Sequence, residues 1–137
     1  MTIYTDENPL FLADELANRM QRLRAQLTIH DPEWKQAAIM GRTNVFYLTG
    51  TIQSGVVWIP RDDEAEFMVR RSFERARHES PFPKITPMRS FRALAEQKRH
   101  VGTRIYVETR QLSLDYFELF NKYFGFHNTL YHPTLSF

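Results

Sequence analysis

Leu12, Leu16, Met20, Leu23 and Leu27 recur at spacings of four and three, which places them along one stripe of an α-helix. Asn8 before Pro9 predicts its start, an N-cap with proline at the first helical position. Asp14, Arg19, Arg22 and Arg24 fall on the opposite face, and Asp31-Pro32 predicts the turn that ends the helix. The apolar run 37–40 reads as a buried strand closed by Gly41. Thr43 and Asn44 are expected to cap a short helical turn through Val45, Phe46, Tyr47 and Leu48, which Gly50 ends in the left-handed conformation.

Residues 55–60 and 66–70 are apolar runs on either side of the polar stretch 61–65, the pattern of a β-hairpin with a longer loop. Residues 72–78 read as a charged helix, broken by Pro81 and Pro83 before a short extended piece at Ile85. Ser90 can cap a helix through Phe91, Leu94 and Ala95, and residues 104–108 form a further strand. From Ser113, Leu114, Phe117, Phe120 and Phe124 make one apolar helical face that stops at Gly125, before a last extended stretch over 126–131. Strands and helices alternate apart from the hairpin. The expected fold is therefore α/β, a single domain over residues 1–137 with a mixed β-sheet and helices on both faces.

Composition supports this and narrows the function. With 137 residues, 42% hydrophobic and 25% charged, the chain matches an ordinary globular domain. The absence of cysteine excludes disulfides, thiolate nucleophiles and cysteine-based zinc sites, and makes the cytoplasm the expected compartment. The N-terminus shows no signal-peptide pattern and no apolar run reaches membrane-spanning length, so no membrane partner is expected. A net charge of +2 does not argue for nucleic acid.

Candidate chemistry is sparse. The histidines at 30, 78, 100, 127 and 132 form no i, i+4 pair, and His127 and His132 read as ordinary rings on an extended segment. Asp62, Asp63, Glu64 and Glu66 read as solvated acids of the hairpin turn. Gly50-Thr-Ile-Gln-Ser-Gly55 begins like a phosphate loop, but Val56 and Val57 stand where Lys and Ser or Thr are required. Arg70, Arg71, Arg75, Arg77 and His78 form a basic run that Glu74 and Glu79 dilute, and a salt-bridged face is expected there, with Glu74 against Arg77 or His78. No serine sits in a nucleophile-elbow context.

Asn44-Val-Phe-Tyr47-Leu48-Thr49-Gly50, followed by a small-residue loop and the strand 55–60, resembles the N-Y-L-T-G signature of the creatinase/prolidase/aminopeptidase P family's N-terminal domain. Arg19-Met-Gln-Arg-Leu-Arg-Ala-Gln-Leu27 resembles its opening R-x-x-x-L-R-x-x-L helix, residues 61–70 its hairpin, and residues 104–108 its I-x-V-E strand. The resemblance implies a noncatalytic accessory domain of an Xaa-Pro peptidase-like metallohydrolase. Catalysis would belong to a C-terminal pita-bread domain holding two divalent metals, manganese, cobalt or zinc, through Asp, Asp, His, Glu and Glu. That domain is expected to lie outside these 137 residues, so no cofactor, metal ligand or catalytic residue is expected on this chain.

The partners implied are that catalytic domain and a second copy in a homodimer. The resemblance further implies that Thr51, Ile52, Gln53 and Ser54 form a loop that shapes substrate access in the neighbouring subunit. Between two glycines and with small or polar side chains apart from Ile52, that loop is expected to contribute little core. Near the end, Phe126, Tyr131, Leu135 and Phe137 are the expected docking surface for the missing partner. The alternative reading is a stand-alone binding or dimerisation module, and after it a basic nucleic-acid-binding domain.

Overall fold

The computed structural model describes residues 7–98, 105–108, 114, 115, 118, 122, 130 and 131. The first apolar stripe forms α1 (Glu7–His30). Asn8 lies inside the helix instead of capping it, and Pro9 sits in the first turn, where a missing N–H breaks no intrahelical bond. Leu16, Leu23 and Leu27 are buried, as their spacing requires.

Next come β1 (Gln36–Ile39) and α2 (Arg42–Thr49). Thr43 and Asn44 do not cap α2. The helix begins earlier, at an extended Gly41 whose carbonyl accepts the Val45 amide at 2.8 Å, with no side-chain cap. Gly50 ends it as expected, with φ of 79° and its N–H donated to the Phe46 carbonyl.

The hairpin is β2 (Gly55–Pro60) and β3 (Glu66–Val69), antiparallel, with Gly55 opposite Val69 and Trp58 opposite Glu66. Then follow α3 (Phe73–Glu79), β4 (Ile85–Pro87), α4 (Phe91–Lys98), β5 (Ile105–Glu108) and β6 (Leu130–Tyr131). Ser90 does cap α4, accepting the Ala93 amide at 3.1 Å. Leu114, Asp115, Glu118 and Lys122 are helical, but Leu114 is 68% exposed and so does not join the core face expected of it. Phe117, Phe120 and Phe124 lie outside the described residues, as do Phe126, His127, His132, Leu135 and Phe137.

The six strands form one mixed sheet in the order β4-β3-β2-β1-β5-β6. β1 is antiparallel to β2 and parallel to β5, while β3 pairs parallel with β4. The inner strands read as continuous apolar runs because both faces are covered. One face presents Ala37, Ile39, Val57, Ile59, Phe67 and Val69 to Leu23 and Leu27 of α1, Val45 and Leu48 of α2 and Ala76 of α3. The other presents Ala38, Val56, Trp58, Met68, Ile105 and Val107 to Leu94 of α4.

Both tryptophans are fully buried, and each indole N–H is satisfied. Trp34 donates to Thr28 Oγ1 at 2.9 Å and Trp58 to Gln36 Oε1 at 2.8 Å. Tyr106 of β5 donates to Asp31 Oδ2 at 2.6 Å, tying the turn after α1 to the sheet. No helix among the described residues is long and apolar enough to cross a membrane.

Candidate functional site

The segment between α2 and β2 carries the residues singled out from the sequence. Tyr47, Leu48 and Thr49 are buried while Phe46 between Val45 and Tyr47 is half exposed, so the motif is a core wedge with one ring outside. Arg19 donates to the Tyr47 carbonyl at 2.9 Å and its guanidinium lies 4.5 Å from the Tyr47 ring centroid. Glu15 holds that arginine from one turn away, at 2.9 Å. The polar face of α1 is therefore not simply solvated: Arg19 clamps α2, and Arg24 reaches the Asp63 carbonyl of the hairpin loop at 2.6 Å. Thr49 donates to the Val45 carbonyl at 2.7 Å and accepts from the Thr51 amide at 3.3 Å, which turns the chain sharply past Gly50.

The loop divides into an inside and an outside. Thr51 is 2% exposed, whereas Ile52 is 62% exposed, Gln53 half-buried and Ser54 exposed. The expectation of a loop with little core fails at Thr51. Its hydroxyl donates to Glu79 Oε1 at 2.8 Å and accepts the Gln53 amide at 3.3 Å, so it lies on the inside of the turn. A second tie runs beside it, where Ser80 donates to the Thr49 carbonyl and accepts the Phe82 amide. At the far end the Ser54 carbonyl accepts the Arg70 amide at 2.9 Å.

Glu79 also accepts from Arg75 Nε at 3.0 Å. The Arg75 hydrogen bond, then that of Thr51, holds its carboxyl below the ordinary glutamate value, against a smaller opposing effect of burial. Glu79 and Ser80 are contacts of the candidate loop that sequence reading missed. The available signal was an acid in the last turn of a helix, where the dipole disfavours it. In the same helix Glu74 pairs with Arg77 at 3.7 Å, so the basic run is a salt-bridged face as expected.

A surface cleft of about 480 Å³ lies on the opposite side of the hairpin, lined by Lys35, Gln36, Trp58, Arg61, Asp63 and Lys98 among others. Two of its cations are already engaged. Arg61 donates to the Pro32 carbonyl, and Lys98 pairs with Glu66 at 3.0 Å. Glu66 is thus no solvated turn acid: it is 4% exposed on the sheet and also accepts from Thr86 Oγ1 at 2.7 Å. Burial pushes its carboxyl up, but the Thr86 and Lys98 hydrogen bonds outweigh this and leave it below the ordinary value. Asp62 and Glu64 are exposed, as predicted for a turn.

Among the described residues no three His, Asp or Glu side chains converge as a metal site would need.

Residues 19–131 match the sequence profile of the creatinase/prolidase N-terminal domain. No curated protein sequence matches the chain. Among solved structures it is similar to an Xaa-Pro dipeptidase from Bacillus anthracis, with a TM-score of 0.70 and 16% identity over 85% of this chain. It spans about a third of that protein, 34% of its length. It is also similar to a proline dipeptidase from Streptococcus agalactiae, with a TM-score of 0.68, 19% identity, and 87% and 96% of the two chains covered. A third likeness is to the N-terminal domain of a cytoplasmic peptidase from Mycobacterium tuberculosis, with a TM-score of 0.66, 20% identity, and 85% and 92% covered.

Proposed function

The chain belongs to the creatinase/prolidase N-terminal domain family, and from that premise we propose that it is the noncatalytic accessory domain of a metal-dependent Xaa-Pro peptidase. In this reading it packs against a C-terminal catalytic domain, pairs with a second copy, works in the cytoplasm and lends the 51–54 loop to substrate access. The observation that carries the reading is the match over residues 19–131, in a chain that spans about a third of one Xaa-Pro dipeptidase.

The loop geometry supports it. Thr51 anchors the turn from within, which leaves Ile52 and Ser54 exposed and Gln53 half-buried. Gln53 offers a donor and an acceptor to a peptide terminus, and Ile52 an apolar wall for a proline ring. Manganese, cobalt or zinc would supply its chemistry in the catalytic domain, and this chain's part would be to shape the approach.

The test is to replace Gln53 and Ser54 together by alanine in the chain joined to its catalytic domain. The expected outcome is unchanged thermal stability with a shifted ratio of kcat/KM between two Xaa-Pro substrates. Unchanged selectivity would remove the loop from substrate access. A gene that encodes no metal-binding domain with this chain would favour a stand-alone binding or dimerisation module.

A further inference from the structure

Glu79 is the last residue of α3, where the negative end of the helix dipole disfavours a carboxylate. The helix has a cation of its own there, Arg75, but that pair occupies Glu79 Oε2 and leaves Oε1 directed at the loop after α2. The Thr51 hydroxyl that meets Oε1 is buried, and it passes the contact on by accepting the Gln53 amide. Glu79 accordingly touches the loop at the residue from which its exposed side chains fan out. Next to it Ser80 bonds the Thr49 carbonyl and fixes the end of α2 separately, so the helix-end geometry does not depend on Glu79.

We propose that Glu79 is a positioning residue for the 51–54 loop, holding Thr51 and through it Gln53 in the geometry the loop presents to substrate. This rests on the reading of that loop as the substrate-access element. Arg75 orients the carboxylate, and the Thr51 hydroxyl donates to it. The depressed carboxyl pKa has the sign such bonds produce.

The experiment reads the loop on this chain without any substrate, by amide hydrogen exchange and NMR titration. In Glu79→Ala, exchange at the Gln53 amide should rise roughly tenfold, the equivalent of one net hydrogen bond, while Leu48 and Val57 keep their wild-type protection. Thr51→Val should reproduce that rise and Thr51→Ser should not, because serine retains the hydroxyl. Glu79→Gln keeps the shape and supplies a second readout. The Thr51 and Gln53 amide shifts of the wild type should titrate together with a midpoint below the ordinary 4.5, and Glu79→Gln should abolish that step. Arg75 is the charged group facing Glu79 and keeps its charge throughout the acid range, so the step belongs to the carboxyl.

Unchanged Gln53 exchange in Glu79→Ala, a rise spread evenly over the whole chain, or the absence of the titration in the wild type would each overturn the proposal. If the clamp is seen while the Gln53 and Ser54 double variant leaves selectivity unchanged, Glu79 still positions the loop and it is the substrate-access reading that fails.

Discussion

Glu66 and Lys98 form the most enclosed ion pair of the described residues, with side chains 5% and 16% exposed. Removing one partner of such a pair strands the other, so Lys98→Met should cost about 3 kcal/mol and raise the Glu66 pKa. Chemical denaturation and a carboxyl titration check both. Because the folded pKa of Glu66 lies below its unfolded value near 4.5, the pair's contribution is complete above that pH and is lost as pH falls through the folded value. The melting temperature of the wild type should therefore drop more steeply as pH falls below 4.5 than that of Glu66→Gln. Two glycines differ in the same quantitative way. A Cβ at Gly55 would stand 2.2 Å from the Met68 carbonyl and 2.8 Å from the Phe67 ring, so Gly55→Ala should cost about 3 kcal/mol by forcing the strands apart. At Gly50 the nearest neighbour is 4.0 Å away, and only the positive φ is at stake. Gly50→Ala should cost about 1 kcal/mol and Gly50→Asn less, which thermal unfolding of the three variants would rank.

At the scale of elements, what the sequence made legible follows from what is local. β2, β3 and the turn between them were readable because two apolar runs enclose a block of acids, and α2 was readable to its last residue because Gly50 is a local stop signal. The start of α2 is not legible because Thr43 and Asn44 are good caps wherever they stand, while Gly41 caps the helix with no side chain at all. The inside of the 51–54 loop could not be read at all. Threonine suits either side of a surface, and the partner that settles Thr51 lies on α3, 28 residues away. Glu66 was hidden for the same reason. It stands beside three turn acids in sequence, but the end of α4 brings Lys98, 32 residues further on, to its carboxylate. Local patterning thus gave the frame of the candidate site, and nonlocal hydrogen bonds gave its interior.

For the whole molecule, the sheet with helices on both faces seals both tryptophans and the central strands. Its polar interior contacts are structural: Arg19 on Tyr47, Tyr106 on Asp31 and Lys98 on Glu66 each join two elements. The proposed function makes this domain a support for chemistry done elsewhere. That is the central claim, and it is tested most directly by assaying the purified chain with an Xaa-Pro dipeptide while manganese or cobalt is titrated in and metal binding is followed by calorimetry. The account predicts neither stoichiometric binding of the metal nor hydrolysis above the buffer rate. Hydrolysis that survives repurification and rises with added manganese or cobalt would contradict it.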